Sequence, residues 1–155
     1  MPDVVLPIPN APRLKIVQQD DGKYGFVSEE DNVVTQFSMP KNIPGSETFL
    51  AHNYKAGKLF NQLKIGDNIS VVSNKEYKIP VTRGKHTRKV KNIYKFIALS
   101  PTSPKSDFLD VVTNKRYTAN ELYKMMYETP NTTTLQTCIE NNGDLSWGRL
   151  FVLAE

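Results

Sequence analysis

Short apolar runs, some alternating with polar residues and some continuous, recur along the chain between Gly, Pro, Asn and Asp, and predict strands far more often than helices. The pattern gives strands over residues 13–19, 32–37, 47–52, 68–72, 77–82, 89–99, 132–140 and 145–154. A further run at 22–27, after Asp20-Asp21-Gly22, predicts a hairpin with the first of these. Helical spacing shows at two places. Leu59, Phe60 and Leu63 predict one or two turns over 56–63. Thr118-Ala-Asn-Glu121 has the form of a capping box, flanked by Tyr117 and Leu122 as a hydrophobic staple, and predicts a helix that ends near Tyr127, before Pro130. Residues 39–45 and 100–105 read as loops. Pro2, Pro7, Pro9 and Pro12 predict that residues 1–12 form an extended segment poor in ladder bonds, leaving a single domain over 13–155. Many short strands with one or two short helices predict a mainly β barrel or sandwich.

The sharpest local signal is Asn141-Asn-Gly-Asp144, because Asn-Gly supplies the positive φ angles of a type I′ turn. With Asn142 and Gly143 at the turn, Cys138 falls opposite Trp147, and Arg149 lies diagonal to it at roughly 7–8 Å. Alternation sets Leu135, Thr137 and Ile139 on one face, the natural core face, and Thr134, Gln136 and Cys138 on the other. A cation beside a thiol favours the thiolate and can donate to a developing oxyanion. From these residues alone Cys138 has two readings, a structural strand cysteine and a nucleophile.

Composition narrows the classes. With 39% hydrophobic and 23% charged residues the chain is of ordinary globular type, long enough at 155 residues to bury one core. One cysteine makes no internal disulfide, and with two histidines it makes no structural zinc site, so neither metal nor cofactor is expected. The formal charge of +4 permits an acidic polymer as partner without requiring one. No apolar run approaches a membrane span and no signal peptide opens the chain, so a soluble domain is expected, or one whose anchor has been removed.

Two longer passages are similar to a known family. TFLAHNYKAGKLFNQLKIGDNISVV resembles the sortase pattern in which a strand delivers a histidine before a short helix and a Leu-x-x-Gly-Asp turn. TTTLQTCIENNGDLSWGRLFVLAE resembles the sortase Thr-Leu-x-Thr-Cys motif followed by an arginine on the last strand. The capped helix resembles the helical excursion that some sortase classes carry before the cysteine strand. Ala51 stands where many sortases have glycine before the histidine.

The resemblance implies a closed eight-stranded sortase-like β-barrel with one or two short helices. It implies cysteine transpeptidase activity with His52, Cys138 and Arg149 as the catalytic trio, and we assign Asn53, Thr137 and Trp147 to substrate binding. The implied partners are an LPxTG-like sorting-signal peptide and an amine acceptor, either a cell-wall precursor or a protein lysine. The implied place is the bacterial cell surface. No nucleic acid is expected. The competing reading is a basic, OB-like barrel binding single-stranded nucleic acid through Tyr77, Tyr94 and the Lys/Arg run at 84–91, which contains His86. Leu6-Pro7 resembles the start of a sorting signal and prompts the expectation that residues 4–9 fold back over the groove.

Overall fold

The structure, a computed structural model, describes residues 3–38, 43, 45–73, 84–98, 107–141 and 144–155. Ten strands form one sheet: β1 (Asp3–Val5), β2 (Leu14–Gln18), β3 (Val33–Gln36), β4 (Glu47–Leu50), β5 (Asn68–Ser73), β6 (Gly84–Ala98), β7 (Asp107–Asp110), β8 (Arg116–Thr118), β9 (Thr133–Asn141) and β10 (Asp144–Ala154). Eight of them close a ring in the order β10-β9-β4-β3-β2-β1-β5-β6, because β6 pairs back onto β10. The hairpin β7–β8 is appended to β6 outside the ring. The expected eight-stranded barrel with two short helices is therefore the observed architecture.

The barrel interior holds Val4, Leu14, Ile16, Val34, Phe49, Phe60, Ile69, Val71, Leu135, Leu150 and Val152. A second apolar layer lies outside the wall, where Leu122 and Met126 of helix α1 (Ala119–Tyr127) cover Phe96 of β6 and Phe151 of β10. α1 starts where its sequence predicts. The Thr118 hydroxyl accepts from the Glu121 amide at 3.1 Å and the Glu121 carboxylate accepts from the Thr118 amide at 3.0 Å.

Several expectations change. The hairpin after β2 does not form: β3 pairs in parallel along Lys15–Gln18, β1 takes Leu14 and Lys15 on the other edge, and residues 22–27 run as turns with Lys23 N donating to Asp20 O and Phe26 N to Lys23 O. Tyr24 and Phe26 are accordingly exposed. The N-terminal segment is part of the ladder, since β1 pairs with both β2 and β5. The prolines of residues 1–12 flank Asp3–Val5 without entering it, which leaves its amide donors intact. Val4 and Leu6 are core residues, so this stretch does not fold back over a groove.

The basic run at 84–91 is the first half of β6, and alternation turns two of its residues away from solvent. His86 Nε2 meets Glu47 Oε1 at 2.5 Å, and Arg88 Nη1 donates to the same oxygen at 3.3 Å and to Thr133 Oγ1 at 3.0 Å. Glu47 is buried, and this network ties β6 to β4 and β9. The strand expected at 77–82, the loop at 100–105 and the turn residues Asn142 and Gly143 lie outside the described residues, as does most of the loop at 39–45.

Candidate active site

Three adjacent strands bring the predicted trio into one row. On β10, Arg149 is the direct cross-strand partner of Cys138 on β9. On the other side, β4 runs parallel to β9 with Leu50 beside Gln136, and the Ala51 amide extends that ladder by donating to the Gln136 carbonyl at 3.2 Å. Continuing the register two residues past Leu50 sets His52 level with Cys138. The row reads His52, Cys138, Arg149 across β4, β9 and β10.

The hairpin register differs from the expected one. Its tip keeps Asn141 opposite Asp144, but a shift between Asp144 and Gly148 adds two residues to β10. Arg149, not Trp147, therefore faces Cys138, and the predicted diagonal becomes a direct pair. The shift is an even number of residues, so each residue keeps its face and only its partner changes. The side chain of Trp147 lies outside the described residues.

Which face carries the row follows from alternation. Leu135 of β9, with Leu150 and Val152 of β10, points into the barrel, whereas Gln136, Arg149 and Phe151 line cavities outside it. Cys138 opens with them into a cleft of about 260 Å3, bordered by Leu50, Ala51 and His52 from the β4 end, Tyr24 and Val27 from the β2–β3 connection, and Phe37 and Tyr127. Cys138 is half-buried, which suits a thiol that reagents can reach.

The histidine is placed by the segment after β4. The His52 carbonyl accepts from the amides of Lys55 and Gly57, both at 3.0 Å, which starts the 3-10 helix Ala56–Gln62. A Cβ on Gly57 would lie 2.2 Å from Thr137 Oγ1, 2.7 Å from the His52 carbonyl and 2.8 Å from the Ala51 carbonyl. Glycine is thus what lets the helix seat this closely on β9. Thr137 borders the cleft, yet it is buried with its hydroxyl turned to this contact, so its side chain supports the histidine segment from beneath. Asn53 is half-buried in the same turn, immediately after His52.

His52 is also held from the β2–β3 connection. Its Nε2 lies 3.2 Å from the Val27 carbonyl and 3.3 Å from Glu29 Oε1. The Tyr54 ring stacks on the imidazole at 4.9 Å with an interplanar angle of 16°, and its hydroxyl donates to both Glu29 oxygens at 3.0 and 2.9 Å. That bond to Glu29, aided by partial desolvation and by the Glu29 charge, pushes the Tyr54 phenol up from its ordinary range. On the floor of the cleft the Tyr127 hydroxyl donates to Gln136 Oε1 at 2.5 Å. Burial raises the Tyr127 phenol well above its usual value, so it stays a donor.

Beyond Tyr127, Gln136 and Arg149 the cleft meets a second cavity of about 230 Å3 under α1, walled by Phe96, Phe108, Leu122, Tyr123 and Phe151. Sequence reading did not single out Glu29, Tyr54, Tyr127 or Gln136. Tyr54 sits two residues from His52 and Gln136 two from Cys138, which was the available signal. Glu29 and Tyr127 approach only through tertiary packing. Among the described residues no cluster of His, Cys, Asp and Glu is arranged to hold a metal ion, and no helix is long and apolar enough to cross a membrane.

No family model matches the sequence, and no curated protein matches it. Solved structures do resemble it in fold. Sortase C1 of Streptococcus agalactiae is 16% identical with a TM-score of 0.56, over 99% of this chain and 65% of that one. Sortase C-1 of Actinomyces oris is 18% identical with a TM-score of 0.57, over 99% of this chain and 70% of that one. Sortase A of Listeria monocytogenes is 10% identical with a TM-score of 0.58, over 99% of this chain and 84% of that one. The chain has a sortase fold.

Proposed function

We propose that this chain is a sortase-type cysteine transpeptidase that cuts an LPxTG-like sorting-signal peptide and joins the released carbonyl to an amine at the bacterial cell surface. The observation that carries the reading is the row His52, Cys138, Arg149 across three paired strands at the mouth of one cleft. The TLQTC stretch supplies the cysteine of that row. A cavity with apolar walls adjoining the cleft supports a peptide donor, because it can take a bulky apolar side chain while Arg149 stands at the junction.

In the first step the Cys138 thiolate attacks a backbone carbonyl of the peptide. An S–C bond forms, the amide C–N bond breaks, and His52 as imidazolium gives its proton to the departing amine. Arg149 donates hydrogen bonds to the oxyanion. In the second step an incoming amine attacks the thioester and yields its proton to neutral His52. The C–N bond forms and Cys138 leaves as thiolate, so protons and charge are restored. The acceptor is a cell-wall precursor or a protein lysine.

The nucleic-acid reading loses support, since His86 and Arg88 turn inward to Glu47 and Tyr94 packs against the apolar layer under α1.

Intact mass after incubation with a library of LPxTG-like peptides, with and without a small primary amine, tests the proposal. The expected result is an acyl adduct on Cys138 that the amine discharges as a new amide product. No adduct, under conditions where a methanethiosulfonate labels the denatured protein alone, overturns it. Arg149→Ala should keep the circular dichroism of the wild type and lose turnover by about 10²–10³.

A further inference from the structure

We propose that Glu29 and Tyr54, with the Val27 carbonyl, are positioning groups that fix a proton on Nε2 of His52 and leave Nδ1 as the only ring nitrogen that exchanges protons. The inference rests on the transpeptidase reading for its catalytic consequence, and on geometry for the rest. A backbone carbonyl only accepts, so the 3.2 Å contact of Nε2 with Val27 O is a hydrogen bond only if Nε2 carries hydrogen. The carboxylate at 3.3 Å imposes the same condition. In the opposite tautomer the Nε2 lone pair would face the lone pairs of both acceptors. One N–H shared between two oxygens satisfies them, and it does so for neutral imidazole and for imidazolium alike.

Glu29 would be a weak clamp alone. Its side chain is 69% exposed, and ion pairs at such exposure contribute little. Tyr54 changes this by holding both carboxylate oxygens while its ring lies flat on the imidazole. Tyrosine, imidazole and carboxylate thus form a closed loop of contacts that leaves the ring no free rotation about its last bond. The other charged groups near this segment are Arg149, on the same cleft, and Lys55, which pairs with Asp31 at 3.0 Å. The arrangement assigns roles to two positions that neither strand alternation nor the resemblance marks.

The experiment is a long-range proton–nitrogen correlation spectrum of the protein with ¹⁵N-labelled histidine, recorded where the ring is neutral. His52→Asn identifies which of the two histidine peak sets belongs to His52. Wild type should show the Nε2–H tautomer, and Tyr54→Phe and Glu29→Ala a mixture of the two. With peptide and amine, both variants should lose turnover on the order of tenfold in kcat with KM unchanged. Glu29→Gln, which keeps an accepting oxygen, should recover most of it. The Nδ1–H tautomer in wild type, or unchanged kcat in both variants, overturns the proposal. If wild type shows Nε2–H yet turns over no peptide, the positioning holds and the transpeptidase reading fails. If wild type turns over peptide while in the Nδ1–H form, the positioning fails and the transpeptidase reading stands.

Discussion

Replacing Gly57 with alanine tests how the histidine segment is seated beside the cysteine. The added methyl would meet three oxygens, at 2.2, 2.7 and 2.8 Å, where real Cβ atoms stay beyond 3.0 Å. Two of them are the main-chain carbonyls of Ala51 and His52, which cannot swing aside as a side chain would. The third is the hydroxyl of Thr137, buried on β9. Overpacking of this kind costs about 1–3 kcal/mol, and three simultaneous contacts put Gly57→Ala near the top of that range. Alanine also stiffens the unfolded chain, which returns about 0.4–1 kcal/mol. The net loss is about 2 kcal/mol, and for a chain of this size Tm falls by about 4–8 °C. Urea and thermal unfolding measure it directly. Relief from Thr137 lifts the start of the 3-10 helix from β9, and relief from the two carbonyls opens the turn that holds His52, so turnover should fall further than the lost stability explains. Gly57→Ala with Thr137→Ala removes one contact and leaves both carbonyls, so recovery should be partial. Unchanged Tm and unchanged turnover in Gly57→Ala would refute the close seating.

Three further outcomes follow from buried or capped groups. Glu47→Ala strips the buried acceptor shared by His86, Arg88 and Thr133 and leaves the half-buried Arg88 guanidinium without its carboxylate, so unfolding free energy should fall by about 3 kcal/mol. A loss below about 1 kcal/mol in urea would show that the network holds nothing together. The bond from the Thr118 amide, then the Thr118 side chain, hold the Glu121 carboxyl below its ordinary value. Its folded pKa is depressed, so its contribution is present above the unfolded carboxylate range and disappears as pH falls through the folded value. The thermal-stability gap between wild type and Glu121→Gln should therefore close in acid; a gap independent of pH counts against the capping box. Tyr127→Phe keeps the buried ring but frees Gln136, which should cost about 1 kcal/mol in unfolding and alter peptide preference, while identical preference would leave Gln136 without a role in the cleft.

What could be read beforehand and what could not divides by range. The helix start at Thr118 was legible because a capping box is closed by residues three apart. The face of Cys138 was legible because alternation along one strand is local. Its partner on β10 was not, since a shift between Asp144 and Gly148 leaves no mark in a turn motif read at Asn142-Gly143. The false hairpin after β2 failed for a related reason: Asp20-Asp21-Gly22 does turn, but a turn says nothing about which edges are already occupied.

By itself the sequence determined the mainly β class, the capped helix, and the three residue types that the resemblance selects, all through patterns a few residues long. Only the tertiary structure decided that β1 belongs to the barrel, that Arg149 faces Cys138 directly, and that His86 and Arg88 serve Glu47 and not a surface. It alone brought Glu29 to His52 and Tyr127 to Gln136. Strand order and side-chain packing join positions far apart in the chain, and no local period encodes which distant edge or acceptor a residue will meet.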